Sequence, residues 1–257
     1  MASKANYIAV IDSGVGGISV LRKLVQLMPQ ERYLYFGDSA NAPYGTKPAA
    51  QVQAMTEATV ERLMARGIKA LVVACNTATA TAIELLREKY PDFIIVGIEP
   101  AVKPAILQHP EGAVGIMATP VTLQGEKLEK LLRMFPHSNI HKIPAPGLVE
   151  LVEAGLANSP QMDEFLATVL GPYVGKLDAL VLGCTHYPFA IPAIRRMMGE
   201  NTDLYDGGAG TALQTRRRLE AAGLLYDGPG CVVFENSLED PTIINLCKSL
   251  LTEAHYG

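Results

Sequence analysis

Nine short runs of apolar and β-branched residues recur along the chain, separated by segments with helical patterning. Most of these runs are apolar throughout, which is typical of strands buried on both faces of a parallel sheet. The alternation of strands and helices therefore predicts an α/β fold. The predicted strands are residues 7–11, 33–36, 70–74, 93–96, 113–117, 140–143, 179–182, 203–205 and 231–234. The clearest predicted helices are residues 48–65, 79–89, 123–134, 162–173 and 210–222.

The sequence also contains an internal repeat. The letters ALVVAC at residues 70–75 are matched by ALVLGC at 179–184, an offset of 109 residues. Two weaker matches have nearly the same spacing. The first predicted strand and the residues after it align with residues 114–119 at an offset of 106, and residues 96–99 align with residues 203–206 at an offset of 107. The agreement among the three offsets predicts two similar α/β units, each with a cysteine after an equivalent strand. Because ligands bind beyond the carboxyl ends of parallel strands, Cys75 and Cys184 should face a shared cleft.

Composition excludes several classes of protein. The 257 residues are 49% apolar and 19% charged, which is sufficient for a globular core, and the formal net charge of -4 argues against a nucleic-acid binder. No apolar run approaches the length of a membrane helix, and the segment before Asp12 is too short for a signal peptide. We therefore expect a cytoplasmic protein. The four cysteines form no CxxC pair, so they should be free thiols there.

Two of these cysteines are candidates for chemistry. Cys75 lies between a strand and a helix, where the exposed amides of the helix lower the pKa of a thiol while burial raises it. Cys184 lies two residues before His186, which can assist proton transfer. Their equivalent positions favour a functional pair over two buried apolar residues, whereas Cys231 and Cys247 are interpreted as core residues. A disulfide between Cys75 and Cys184 remains open, and a zinc site is less favoured because His186 is the only nearby third ligand.

Two polar loops follow predicted strands. The first, DSGVGG at residues 12–17, is neither a GxGxxG nor a P-loop motif, but its glycines allow backbone amides to approach an anionic ligand. Its Asp12 either accepts a hydrogen bond from an ammonium group or caps the next helix. The second, GDSANAPYG at residues 37–45, favours a turn with Tyr44 on the surface and Asp38 stabilising the loop.

Two thiols on opposite sides of a cleft suit one reaction in particular. Inversion of a carbon stereocentre by proton transfer needs a base on one face of the carbon and an acid on the other. A thiolate and a thiol can exchange these roles when the reaction runs in reverse. A hydrolase with a single thiol nucleophile would instead combine one cysteine with one base and an orienting group.

Five motifs in this order resemble the glutamate racemases, and the resemblance covers nearly the whole chain. The PYG loop is closer to glutamate racemases than to their aspartate and hydantoin racemase relatives. The motifs are DSGVGG at 12–17, GDSANAPYG at 37–45, ACNTATA at 74–80, GIEPA at 97–101 and GCTHYP at 183–188.

The resemblance implies an isomerase that interconverts L-glutamate and D-glutamate without a cofactor or a metal and supplies D-glutamate for peptidoglycan synthesis. It implies two pseudosymmetric α/β domains, residues 1–98 with 207–257 and residues 99–206, with the active site in the cleft between two mostly parallel sheets. The implied partners are glutamate and a second copy of the chain in a homodimer whose geometry the sequence does not specify. No membrane or nucleic-acid partner is expected.

The resemblance also assigns roles to residues. It implies that Cys75, assisted by Asp12, removes the α-proton of D-glutamate, and that Cys184, assisted by His186, removes that of L-glutamate. Glu153 matches a second acidic residue near the cleft. The residues implied to bind the substrate are Asp12, Ser13, Pro43, Tyr44, Gly45, Cys75, Asn76, Thr77, Thr119, Thr122, Thr185 and His186.

Three alternatives remain. An aspartate racemase would share the same arrangement, and a single-cysteine decarboxylase is disfavoured because both cysteines are present. A two-lobed binding protein with core cysteines would bind ligand without exchanging its α-proton. Pyridoxal phosphate is not excluded by motif, but the thiol pair makes it unnecessary.

Overall fold

The computed structural model describes residues 6–238 and 240–252. All nine predicted strands are confirmed, with ends that differ by up to two residues. The strands are β1 (Ile8–Asp12), β2 (Arg32–Gly37), β3 (Ala70–Val73), β4 (Ile95–Gly97), β5 (Ala113–Ala118), β6 (Asn139–Pro144), β7 (Ala179–Leu182), β8 (Asp203–Asp206) and β9 (Cys231–Asn236). The α-helices are α1 (Ile18–Leu27), α2 (Ala49–Met64), α3 (Asn76–Lys89), α4 (Val102–Gln108), α5 (Pro120–Gln124), α6 (Glu126–Arg133), α7 (Leu148–Glu153), α8 (Pro160–Leu170), α9 (Ile191–Met198), α10 (Gly208–Ala221) and α11 (Pro241–Thr252).

The strands form two parallel sheets with matching topology. The first has the order β4-β3-β1-β2-β9 and the second, read in the same sense, β8-β7-β5-β6. The two cysteine-bearing strands, β3 and β7, therefore occupy equivalent positions, as the sequence repeat predicts. Strand β9 extends only the first sheet, through its pairing with β2. The predicted α/β class with two pseudosymmetric sheets is confirmed.

Sheet membership supports our proposal for the domains. The first sheet takes its strands from residues 8–97 and 231–236, and the second from residues 113–206. We propose a first domain of residues 1–98 with 207–257 and a second domain of residues 99–206. One apolar cluster includes residues from both sheets, such as Val10 on β1 and Met117 on β5, so the two units pack directly on each other.

Two predicted helices differ from the structure. The helix predicted at 123–134 is interrupted at Gly125, whose extended backbone (φ -66°, ψ 137°) separates α5 from α6. The helix predicted at 162–173 ends at Leu170, and residues 171–173 form a 3-10 turn containing Pro172, which cannot donate a helical hydrogen bond. None of the described helices combines the length and apolar character that crossing a membrane requires.

Candidate active site

The site is formed where strands of both sheets end. Asp12 is the last residue of β1, and Thr119 directly follows β5. Cys75 and Cys184 each come two residues after the last residue of their strands, β3 and β7. All four residues are buried. The ends of equivalent strands thus present a thiol from each sheet to one region, as the sequence predicts for a shared site.

Cys75 is the N-cap residue of α3. Its Sγ accepts a hydrogen bond from the amide of Ala78 (3.4 Å), and its thiol donates to Ser13 Oγ (3.8 Å). Burial raises the pKa of Cys75 to about 12, and the charge of Asp12 adds to this rise, while the Ala78 amide and the Ser13 hydroxyl oppose it. Of the two opposing effects recognised in the sequence, burial is therefore stronger than the helix terminus.

Cys184 belongs to a chain of three side chains. Its Sγ lies 3.7 Å from His186 Nδ1, and His186 Nε2 lies 2.7 Å from Glu153 Oε1. Burial by itself lowers the pKa of His186, but its hydrogen bonds with Cys184 and Glu153 outweigh burial and raise it well above its ordinary value. Burial likewise acts to raise the pKa of Glu153, and the bond with His186 overcomes it and lowers that pKa. Both shifts favour an imidazolium paired with a carboxylate beside the thiol.

Asp12 links the two sheets. Its Oδ1 accepts a hydrogen bond from the amide of Gly14 (3.1 Å), and its Oδ2 accepts one from Thr185 Oγ1 (3.0 Å). Burial raises the pKa of Asp12, against the lowering effect of the nearby His186. Helix α1 begins after Gly17 without a side-chain cap. The alternative that Asp12 caps this helix is therefore wrong.

The loop carrying Pro43, Tyr44 and Gly45 turns inward. Tyr44 is only 4% exposed, so the expectation of a surface tyrosine is wrong. Its hydroxyl donates to Asp38 Oδ2 (2.6 Å), which confirms that Asp38 stabilises the loop. A Cβ added at Gly45 would lie 2.6 Å from Thr119 Cγ2, so only glycine permits this close approach to the second sheet.

Hydroxyl groups connect the helices that follow β3 and β5. Thr77 Oγ1 lies 3.1 Å from Thr119 Oγ1, which in turn donates to Thr122 Oγ1 (3.1 Å). Beside them, the buried Asn76 Oδ1 accepts no hydrogen bond from any described residue. Because buried polar atoms are nearly always paired, an unpaired acceptor next to Cys75 indicates a place for a donor group of a ligand.

The glycine-rich loop and the start of α1 make contacts that the sequence pattern does not indicate. The amide of Val15 donates to Glu153 Oε1 (2.8 Å), and Ser19 Oγ donates to the carbonyl of Thr185 (2.8 Å). A Cβ at Gly14 would lie 1.9 Å from Glu153 Oε1. Gly14 therefore permits the close approach of a protein carboxylate, and the approach of the loop amides to an anionic ligand stays a prediction. Ser19 occupies the position where a GxGxxG motif would have its third glycine.

Replacing Gly16 with alanine tests the close packing of the glycine-rich loop against His186. Its added methyl group would lie 2.3 Å from His186 Nδ1 and 2.6 Å from Thr185 Oγ1, so His186 must move. Because a misplacement of about 1 Å at a reacting group costs about 10²-fold in rate, we expect a loss of turnover of that order. Gly210→Ala is the matched control, since no atom of the described residues outside the surrounding backbone of α10 lies within 4 Å of its Cβ position. Steady-state kinetics of both variants measure this loss of kcat, and equal turnover by Gly16→Ala and Gly210→Ala would contradict the expectation.

The remaining cysteine predictions have mixed outcomes. All four cysteines are free thiols, so Cys75 and Cys184 are not joined in a disulfide. Cys247 is buried, as expected for a core residue, but Cys231 is exposed at the start of the edge strand β9, and its assignment to the core is wrong. Within residues 6–238 and 240–252, no group of three or more histidine, cysteine or acidic side chains is arranged to hold a metal ion.

Comparison with known proteins places this arrangement in a family. The model of the Asp/Glu/Hydantoin racemase family matches residues 8–214, which include every residue discussed in this site. The chain belongs to the Asp/Glu/hydantoin racemase family. Within this racemase family, the chain is 46% identical to the glutamate racemase of Clostridium acetobutylicum over 255 residues, covering 98% of this chain and 99% of that one.

Solved structures of racemases have the same fold. The glutamate racemase isoform RacE1 of Bacillus anthracis matches with a TM-score of 0.87 at 30% identity, covering 98% of this chain and 96% of that chain. The Escherichia coli glutamate racemase, solved in complex with L-glutamate and the activator UDP-MurNAc-ala, matches with a TM-score of 0.83 at 31% identity over 95% of each chain. The resemblance inferred from the five motifs is confirmed.

Proposed function

We propose that the protein interconverts L-glutamate and D-glutamate by proton transfer between the substrate and two cysteine thiols, without a cofactor. The observation that carries the proposal is the pair Cys75 and Cys184, placed after equivalent strands of the two sheets. The charge of Cys184 contributes to the raised pKa of Cys75, which supports their proximity. The similarity to glutamate racemases from several bacteria supports glutamate as the substrate.

The proposed reaction needs one thiolate and one thiol at a time. The thiolate takes the α-proton, so that the bond between Cα and hydrogen breaks and an S–H bond forms. The resulting carbanion then takes a proton from the thiol on its opposite face, and that sulfur becomes the thiolate. Hydrogen-bond donors fixed in a site closed to water stabilise the developing negative charge.

The roles of the two thiols follow the resemblance. Cys184 removes the proton from L-glutamate and Cys75 removes it from D-glutamate. His186 and Glu153 support a negative charge on Cys184, because an imidazolium beside the sulfur stabilises the thiolate. Asp12 acts on the Cys75 side of the site, close enough for its charge to affect the pKa of Cys75.

The polar residues around the thiols provide the proposed binding site. The unpaired Asn76 Oδ1 suits the substrate ammonium group, because it is a buried acceptor with no other described donor. The hydroxyls of Ser13, Thr77, Thr119, Thr122 and Thr185, with the loop carrying Pro43, Tyr44 and Gly45, would surround the two carboxylates. The Escherichia coli relative, which was solved with L-glutamate, supports this substrate.

Incubation with L-glutamate in D2O, without added cofactor, tests the proposal. We expect D-glutamate that carries deuterium at Cα, while the L-glutamate remaining at early times keeps its proton, because separate thiols remove and supply the hydrogen. Proton NMR and a chiral assay measure both. Deuterium in the remaining L-glutamate at the same rate would indicate one base, activity with aspartate alone would indicate an aspartate racemase, and binding without exchange would favour a binding protein.

The resemblance extends the proposal to the cell. We infer a homodimer in the cytoplasm that supplies D-glutamate for peptidoglycan synthesis. The match to glutamate racemases over nearly the full length of each chain supports this wider role.

A further inference from the structure

Tyr35, on strand β2, looks like a core residue but makes one specific polar contact. It is fully buried, and its hydroxyl donates a hydrogen bond to the carbonyl of Gly14 (2.6 Å). Burial raises the pKa of Tyr35 well above its ordinary value, so the hydroxyl keeps its proton and remains a donor at any physiological pH. The contact therefore attaches the glycine-rich loop to β2 of the first sheet.

The Gly14 carbonyl and the Val15 amide belong to one peptide group. Tyr35 donates a hydrogen bond to the oxygen of this peptide group. The N–H of the same group donates to Glu153 Oε1 (2.8 Å) in the proposed second domain. A hydrogen bond to a peptide oxygen polarises the group and strengthens its N–H as a donor. The Tyr35 hydroxyl thus fixes the position of the Val15 N–H and strengthens its hydrogen bond to Glu153.

Packing around this peptide leaves it little freedom. A Cβ at Gly37 would lie 2.6 Å from the Gly14 oxygen, and a Cβ at Gly14 would lie 1.9 Å from Glu153 Oε1. The peptide is therefore enclosed between β2 on one side and the Glu153 carboxylate on the other. Loss of the Tyr35 hydroxyl would remove the hydrogen bond to this buried carbonyl, and the peptide would shift toward the space that the hydroxyl leaves.

We propose that Tyr35 is a positioning residue for proton transfer at Cys184, acting through the Gly14–Val15 peptide, Glu153 and His186. The inference rests on the proposed function, since it concerns the thiol assigned to L-glutamate. Glu153 Oε1 is shared by Val15 and His186, so a displaced carboxylate alters the orientation of the imidazole whose Nδ1 faces Cys184. The hydroxyl of Tyr35 bonds to the peptide whose N–H holds Glu153, so we expect the larger effect of its loss at Cys184 rather than at Cys75.

Tyr35→Phe tests the proposal, with Tyr33→Phe as the matched control. Tyr33 lies two residues earlier on β2, is equally buried, and donates to the backbone carbonyls of Leu24 and Met28, away from the site. We expect Tyr35→Phe to lower kcat with L-glutamate about tenfold, less than the misplacement of a reacting group itself. Tyr33→Phe should lose stability without this change in rate.

Isotope effects measured in both directions separate positioning from general damage. With α-deuterated L-glutamate, slower removal by Cys184 makes that step more rate-limiting, so the isotope effect should rise in Tyr35→Phe. With α-deuterated D-glutamate, slower donation by Cys184 makes removal by Cys75 less rate-limiting, so the isotope effect should fall. A variant with only a smaller folded fraction would change neither value.

Each outcome has a definite meaning. Isotope effects in Tyr35→Phe equal to those of the unmodified protein, or changed in the same sense in both directions, would overturn the role of Tyr35. Racemisation that is absent from the unmodified protein would instead refute the proposed function. NMR titration of His186 gives a second measure independent of turnover: we expect a lower pKa of His186 in Tyr35→Phe, and an unchanged pKa would contradict the inference.

Discussion

Replacing Cys75 with serine is expected to reduce racemisation on the order of 10³-fold without unfolding the protein. The serine hydroxyl is a far weaker acid than a thiol, so it can neither form the base nor return the proton at a comparable rate. Serine is also a favoured N-cap residue, and its oxygen would accept the Ala78 amide that now donates to Cys75 Sγ. The start of α3 should therefore be retained.

Cys247→Ser provides the control for this result. Cys247 is a second buried cysteine whose pKa burial raises to about 12, but it lies on α11 and follows no strand end. We expect this variant to keep its turnover, with any loss confined to the melting temperature. A chiral assay and thermal denaturation should be run on both variants. Turnover by Cys75→Ser close to that of the control would exclude Cys75 as an acid or base and would favour a binding protein.

The fold was largely predictable because its strands are buried on both faces. Continuous apolar runs such as residues 179–182 favour strands of a covered parallel sheet, and β7 has the predicted bounds. The repeat around the two cysteines predicted their equivalent positions because each is fixed by its strand. Helix ends were less predictable, since the break at Gly125 depends on a backbone conformation that the pattern of side chains does not specify.

The candidate site was predictable in its side chains but not in its backbone contacts. The family resemblance named Glu153 and His186, yet Glu153 is attached to the loop after β1 through the amide of Val15, a group that every residue type except proline provides. Tyr35 could not be singled out, because a tyrosine in an apolar strand has the pattern of a core residue. Tyr44 was wrongly predicted to lie on the surface because the residues around it also fit an exposed turn.

These contacts explain why the proposed chemistry needs both of the proposed domains together. Asp12 and Val15, at the end of β1 and in the loop after it, bind Thr185, which follows β7, and Glu153 on α7. The groups around Cys184 are therefore held in part from the opposite sheet. A separated pair of domains would retain both thiols but lose the contact that fixes the carboxylate next to His186.

Glu153→Gln is expected to lower kcat with L-glutamate on the order of 10²-fold and to reduce the free energy of unfolding by about 2 kcal/mol. Glutamine retains the shape of the side chain and an acceptor for Val15, so the substitution removes mainly the charge beside His186. The Glu153 side chain is only 22% exposed, so solvent weakens this interaction little. The loss of rate follows because the imidazolium beside Cys184 is no longer stabilised.

The pH dependence of this loss of stability identifies the pair. The pKa of Glu153 is lowered from its ordinary 4.5, so its contribution is present above pH 4.5 and disappears as pH falls through the lowered value. The pKa of His186 is raised from 6.5, so its contribution is present below pH 6.5 and disappears as pH rises through the raised value. The difference in stability should therefore be largest between pH 4.5 and 6.5.

Chemical denaturation across this range is the measurement, with Glu150→Gln as its control. Glu150 lies on the same helix, α7, but is exposed, so its neutralisation should change stability by less than about 0.5 kcal/mol at every pH. If the loss of unfolding free energy in Glu153→Gln did not vary with pH, the loss would come from altered packing and not from the ion pair. The same difference in both variants would assign it to the net charge of α7, and the ion pair would then have no role in holding His186 beside the thiol.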